Sequence, residues 1–93
     1  MKSLSSEEAQ TRLGSLHGWR IESGELVKTF NFKDFRTALQ FVNQVGDATE
    51  SVGHHPDIDI RYSRVRLSLM THDAGGLTPK DFDLAHRADE LAG

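Results

Sequence analysis

The chain contains no cysteine and no long apolar run. Without cysteine it can form no disulfide, no thiolate nucleophile and no cysteine-ligated zinc or iron–sulfur site. No stretch approaches the roughly 18 consecutive apolar residues of a membrane span, and the Met1–Gln10 segment is too polar for a signal peptide. We therefore expect a cytoplasmic protein that does not enter a membrane.

An excess of positive charge is also missing, because 14 acidic residues outnumber 11 basic ones and give a net charge of −3. Direct nucleic-acid binders are usually basic, so we expect no direct binding of nucleic acid. The 93 residues suffice for one small domain, which we place at residues 1–93. A domain of this size would gain burial by associating, and we expect a symmetric homodimer or homotetramer.

Three helices are predicted from capping signals and apolar spacing. Ser5 and Glu8 have the spacing of a capping box. Apolar residues recur at helical spacing from Phe35 to about Glu50, and Gly53 stands where a C-terminal cap would be. A third helix follows Thr78 as N-cap and carries an apolar stripe. The stripe is a candidate contact between copies, or it packs only on the chain's own sheet, and it consists of Phe82, Ala85, Ala88 and Leu91.

Period-two alternation predicts two hairpins, one joining residues 19–21 to 26–32 and one joining residues 58–62 to 65–69. Their turns would be Ser23-Gly24 and Ser63-Arg64. The order of elements is then α-β-β-α-β-β-α. We predict an α+β fold in which helices pack on one face of a four-stranded antiparallel sheet.

Three of the five histidines fall in two short segments, as the pair His54-His55 and as His72. Histidine has an unperturbed pKa of about 6.5, which suits proton transfer near neutral pH. The open end of the second hairpin would bring the start of its first strand beside the finish of its second, so the pair and His72 are predicted to converge. The carboxylates that flank these segments are Glu50, Asp57, Asp73 and Asp81.

Other interpretations of these residues stay open. A histidine pair in a loop is often merely exposed, Asp81 could be only a helix cap, and Glu50 could be a solvated residue. Three imidazoles and a carboxylate can bind zinc. However, the chain has no His-x-His, His-x-x-x-His or Glu-x-x-His spacing, and we expect no metal. No serine stands in a recognisable nucleophile motif.

The segment from Glu50 to Asp81 resembles the signature of the pterin-4a-carbinolamine dehydratase family. It consists of Glu50-x-x-x-His54-His55-Pro56 followed by Tyr62, His72 and Asp81 at matching spacing. Gly18-Trp19, residues 30–35 and residues 71–78 also look like the blocks of that family, in the same order. The resemblance covers roughly Gly18 to Ala88.

The resemblance implies a hydro-lyase that converts 4a-hydroxytetrahydropterin to quinonoid dihydropterin and water, and thereby recycles the pterin cofactor of aromatic amino-acid hydroxylases. It implies acid–base catalysis by histidine, with no metal and no organic cofactor. It also implies a four-stranded antiparallel sheet with helices on one face and dimeric or tetrameric assembly. The substrate would be a small-molecule pterin.

The same resemblance implies roles for single residues. His55 and His72 would act at C4a and its hydroxyl, while His54 would bind and orient the ring. Glu50 and Asp81 would tune the imidazoles, since a neighbouring carboxylate favours the protonated ring. Together with these two carboxylates, the residues predicted to contact the pterin are Gly53, Met70, Thr71 and Asp73.

A second interpretation belongs to another class of protein. Some relatives stabilise the dimer of a homeodomain transcription factor, and others with this fold are thought to assist the assembly of larger enzymes. This chain could be such a non-catalytic binding module, with a protein partner. The intact set of three histidines favours the enzyme.

Overall fold

The computed structural model describes residues 2–93. Its elements are α1 (Ser6–Leu13), β1 (Arg20–Glu22), β2 (Glu25–Asn31), α2 (Phe35–Val52), β3 (Asp57–Arg61), β4 (Arg64–Leu69), a 3-10 turn (His72–Ala74) and α3 (Pro79–Ala92). The strands form one antiparallel sheet in the order β1-β2-β4-β3. The predicted α+β class and element order are confirmed. Among residues 2–93, no helix is both long and apolar enough to cross a lipid bilayer.

Local hydrogen bonds determine where the helices begin and end. At the start of α1, the Glu8 N–H donates to the Ser5 hydroxyl and the Ser5 N–H donates to the Glu8 carboxylate, which completes the predicted capping box. At the start of α2, the Thr37 N–H donates to Asp34 over 2.8 Å and holds the pKa of that carboxyl below its usual value. The α2 helix runs two residues beyond the predicted end and stops at Gly53, whose φ of 64° favours glycine.

The second hairpin turns one residue earlier than predicted. Arg61 pairs with Arg64, so the two turn residues are Tyr62 and Ser63 rather than Ser63 and Arg64. The reason is the register of the buried faces, because Ile60 must lie opposite Val65 for both to face the helices. Tyr62 consequently leaves the strand, has a positive φ of 51° and is largely exposed.

The core lies between one face of the sheet and the helices. Strands β2 and β4 supply its centre, where Leu26, Leu67 and Leu69 are fully buried. Residues Phe35 and Leu39 of α2, which we predicted as part of a continuous apolar stripe, are exposed instead. They flank the buried side of the helix rather than facing the sheet, since positions 35 and 39 are rotated away from the buried positions 38, 41 and 45.

The apolar stripe of α3 packs on the chain's own core. Phe82, Ala85 and Ala88 are only 2%, 0% and 1% exposed within a single copy. The prediction that this stripe contacts a second copy is therefore wrong for these residues, because the sheet and α2 have already covered them. Any association between copies must use another surface.

Candidate active site

Two loops meet at one end of the sheet. Residues 53–56 connect the end of α2 to β3, and residues 70–78 connect the end of β4 to α3. Asp57 pairs with Ser68 in the sheet, so the start of β3 lies beside the finish of β4. This register places the segment that carries His54 and His55 at the same end of the sheet as the segment that carries His72.

Asp81 joins the two loops through its carboxylate. Nε2–H of His54 donates to Oδ1 over 2.7 Å, and the Thr71 hydroxyl donates to Oδ2 over 2.9 Å. The Thr78 N–H also donates to Oδ2, over 3.0 Å. The Asp81 side chain is fully buried, and these three donors offset the cost of removing a carboxylate from water. Asp81 is thus both the cap of α3 and a partner of a predicted catalytic histidine.

The bond to Asp81 determines which nitrogen of the His54 ring donates inward. An ionised carboxylate can only accept, so Nε2 carries the proton of this bond. The His54 side chain is 13% exposed, so part of its ring remains accessible while its orientation is held from the interior.

His55 has a different partner and a different environment. Its Nε2 lies 2.7 Å from Oε2 of Glu50, and the two side chains are 61% and 78% exposed. Water screens a pair of this kind, so it contributes little to stability. The two neighbouring histidines therefore project in different directions, one toward the interior and the other toward solvent.

His72 begins the 3-10 turn directly after Thr71. It is exposed, as is Asp73, whereas the Met70 side chain is half-buried and packs against the core. The loop is held in shape by an isolated bridge in which the Thr71 N–H donates to the Gly76 carbonyl over 3.0 Å. The predicted substrate-contacting residues of this loop thus differ in exposure, and His72 and Asp73 are the ones that solvent reaches.

A groove of about 440 Å³ opens beside His54, between the last two turns of α2 and the first half of α3. Val52 and Leu84 are apolar residues of its lining, and Lys80 and Arg87 are basic ones. Its volume falls in the range of small-molecule sites, roughly 300–1,000 Å³. Val52 is 64% exposed, although it continues the apolar pattern of α2.

Neither the groove nor a place for Thr78 in the site was predicted from the sequence. The groove residues come from two helices that are distant in the chain, and the apolar Val52 at the end of α2 was the one available signal. Thr78 was predicted only as an N-cap. Its hydroxyl lies 2.7 Å from that of Thr71, a contact between two buried groups that local spacing cannot show.

Two carboxylates at this end of the sheet, those of Asp81 and Glu50, each pair with one imidazole. In the described part of the chain, no three histidine, aspartate or glutamate side chains are grouped so that they could hold a metal ion. Asp81 has both of its oxygens occupied by donors, and Glu50 lies with His55 on the exposed side. Such hydrogen-bonded pairs are suited to orienting imidazoles for proton transfer.

The chain is similar to known sequences of one family. A sequence profile of the family described as "Pterin 4 alpha carbinolamine dehydratase" matches residues 2–91. A protein of Chloroflexus aurantiacus is 52% identical over 93 residues, covering 100% of both chains. One of Acidobacterium capsulatum is 50% identical over 91 residues, covering 98% of this chain and 99% of the relative. Both are provisionally named pterin-4-alpha-carbinolamine dehydratase.

Comparison with solved structures gives the same fold. A transcriptional coactivator/pterin dehydratase from Brucella melitensis superposes with a TM-score of 0.95 at 33% identity, covering 99% of this chain and 100% of that one. A pterin dehydratase-like protein described as a RuBisCO assembly factor in the alpha-carboxysome gives a TM-score of 0.71 at 28% identity, covering 83% and 92%. The chain therefore belongs to the pterin-4-alpha-carbinolamine dehydratase family.

Proposed function

We propose that this protein dehydrates 4a-hydroxytetrahydropterin to quinonoid dihydropterin and water by histidine acid–base catalysis, and so recycles a pterin cofactor in the cytoplasm. Family membership supports the reaction class. The observation that carries the proposal is the hydrogen bond between His54 and the fully buried Asp81, which also ties the segment bearing His72 to the same carboxylate.

The reaction requires two proton transfers and no redox step. The C4a–O bond breaks as a general acid protonates the leaving hydroxyl to give water. A general base removes the proton from N5, and the electron pair of the N5–H bond forms the C4a=N5 double bond. Imidazoles can perform both tasks near neutral pH, and each such transfer typically contributes about 10²–10⁴-fold in rate.

The different exposures of the three histidines support different roles for them in the reaction. His55 and His72 are exposed, so they can meet a substrate that arrives from solvent. His54 is mostly covered, and its Nε2 is occupied by Asp81. We assign the proton transfers to His55 and His72 and the orientation of the pterin ring to His54, with backbone groups of residues 53–55 and 70–73 holding the ring's polar edges.

The groove beside His54 would bind a portion of the substrate that lies away from the reacting C4a and N5 atoms. Its walls at Val52 and Leu84 are apolar, which suits the face of a heterocyclic ring or the carbon atoms of a substituent. The neighbouring residues Gly53 and His55 would then lie within reach of the ring. This arrangement uses the exposed apolar surface of Val52.

A dehydratase assay tests the proposal. Freshly generated 4a-hydroxytetrahydropterin should lose water faster with the purified protein than in its uncatalysed dehydration. The double variant His55→Ala/His72→Ala should bring the rate close to the uncatalysed one, whereas His17→Ala, at an exposed histidine outside the two loops, should not change it. Near-wild-type turnover by the double variant would contradict the mechanism.

A second candidate function is that of an assembly or dimerisation factor without catalysis. One structural relative is described as a RuBisCO assembly factor, and exposed Phe35 and Leu39 on α2 offer an apolar surface to a protein partner. The same assay separates the candidates. A folded wild-type chain that leaves the uncatalysed dehydration unchanged would favour the binding module.

A further inference from the structure

A chain of hydrogen bonds extends from Asp81 deeper into the protein. Thr71, Thr78 and Asp81 are 6%, 0% and 0% exposed, so water does not complete their hydrogen bonds. The hydroxyl hydrogen of Thr71 is used in the bond to Oδ2 of Asp81. The Thr78 hydroxyl lies 2.7 Å from the Thr71 oxygen and must therefore be the donor of that pair.

We propose that the hydroxyls of Thr71 and Thr78 form a positioning relay that holds His54 and the segment bearing His72 in one arrangement through Asp81. The donors then run in the order Thr78 to Thr71 to Asp81, with His54 donating to the other carboxylate oxygen. Thr71 is covalently adjacent to His72. The relay thus connects both loops of the proposed active site to the start of α3.

The cap of α3 does not by itself explain the Thr71 hydroxyl. That cap is a capping box formed by Thr78 and Asp81, in which the Thr78 N–H donates to the Asp81 carboxylate, and Thr71 takes no part in it. The bond from the Thr71 hydroxyl adds a direction to the carboxylate plane, because Oδ2 then receives a side-chain donor as well as a backbone donor. A carboxylate whose plane is fixed also fixes the imidazole that donates to its other oxygen.

Valine removes a threonine hydroxyl while it keeps the branched shape, and serine keeps the hydroxyl. We expect Thr71→Val to lower kcat/KM by about tenfold, the scale of one buried hydrogen bond, and Thr71→Ser to stay within about twofold of wild type. Thr49→Val is the matched control. Thr49 is also buried, but its hydroxyl donates to the Gly46 carbonyl within α2.

The order of the relay can be tested with a double variant. If Thr78 acts through Thr71, Thr78→Val should lower kcat/KM in the wild-type chain but should have no further effect in the Thr71→Val chain. If the two threonines had independent structural roles, the fold-changes in kcat/KM of the two single variants would multiply in the double variant. Multiplicative effects on kcat/KM, or a Thr71→Val enzyme that stays folded and retains wild-type kcat/KM, would overturn the relay.

The catalytic readout of this inference rests on the proposed dehydratase function, but a second readout does not. Nitrogen-15 NMR of the ligand-free protein reports which ring nitrogen of His54 carries the proton. We expect the Nε2–H form in wild type and Thr49→Val, and a mixture of tautomers in Thr71→Val. An unchanged His54 signal in Thr71→Val would overturn the relay even if the protein showed no dehydratase activity.

Discussion

Nε2 of His54 lies 2.7 Å from Oδ1 of Asp81, across 27 positions of the chain. The bond joins the loop after α2 to the first turn of α3. Because Asp81 is fully buried, water does not compete for its oxygens. The orientation of an imidazole at the proposed active site thus depends on a residue that also caps a helix.

We predict that Asp81→Asn will impair both stability and activity. An amide offers one acceptor oxygen to the three donors that converge on this side chain, so at least one buried donor loses its partner. We expect the free energy of unfolding to fall by about 1–3 kcal/mol, measured by urea denaturation. The exposed Asp47→Asn on α2 is the control. Equal stability of the two variants would contradict the inferred cluster.

Replacement of single histidines should separate binding from chemistry. We expect His54→Ala to raise KM more than it lowers kcat, because its assigned role is to orient the ring. His55→Ala and His72→Ala should each lower kcat by about 10²–10⁴-fold, the scale of a lost general acid or base. Steady-state kinetics corrected for the uncatalysed reaction measure both quantities. A His54→Ala enzyme that loses only kcat would reverse the assignment.

Removal of metal should leave the proposed activity unchanged. The imidazoles are assigned to carry protons, and the carboxylates of Asp81 and Glu50 are each paired with one imidazole. Purified protein dialysed against a strong chelator should therefore keep its full dehydratase rate. A loss of activity that zinc alone restores would replace the acid–base mechanism with a metal-dependent one.

Association between copies should involve the exposed apolar residues of α2 rather than the buried stripe of α3. We expect sedimentation to show a homo-oligomer at micromolar concentration and Leu39→Asp to weaken it, because Leu39 and Phe35 present apolar side chains to solvent. Gln40→Asp adds the same charge at the next position and is the control. Ala88→Asp should unfold the chain instead, since it places a charge in the core. A monomeric wild type would refute the oligomer.

The cap of α2 should lose part of its effect in acid. The Thr37 N–H lowers the pKa of Asp34 in the folded protein, so the ionised cap stabilises the fold above the unfolded aspartate pKa, about 3.9. That contribution is lost as pH falls through the lowered, folded-state pKa. The difference in unfolding free energy between wild type and Asp34→Asn should thus shrink from pH 7 toward acid. If the difference in unfolding free energy stayed constant with pH, a stabilising role of the ionised Asp34 would be contradicted.

Much of the fold could be predicted because its signals are local. The bonds that begin α1 and α2 each join residues three positions apart, and the sequence contains both partners at that spacing. Tyr62 was predicted in a strand but lies in the turn. The alternation of apolar and polar residues in this hairpin is compatible with either position of the turn. Pairing of Ile60 with Val65 across the hairpin selects one of them, and that pairing is a property of the assembled sheet.

The element order, the helix caps and the presence of three histidines in two loops were predictable, since each follows from residues close together in the chain. Which imidazole meets which carboxylate depends instead on how distant segments fold together. His54 reaches the buried Asp81 and His55 turns to the exposed Glu50, although the two histidines are neighbours. Residues of α2 and α3 together line the groove, and Thr71 and Thr78 are buried in the folded chain. Contacts of this kind depend on how distant segments pack, and no local pattern specifies that.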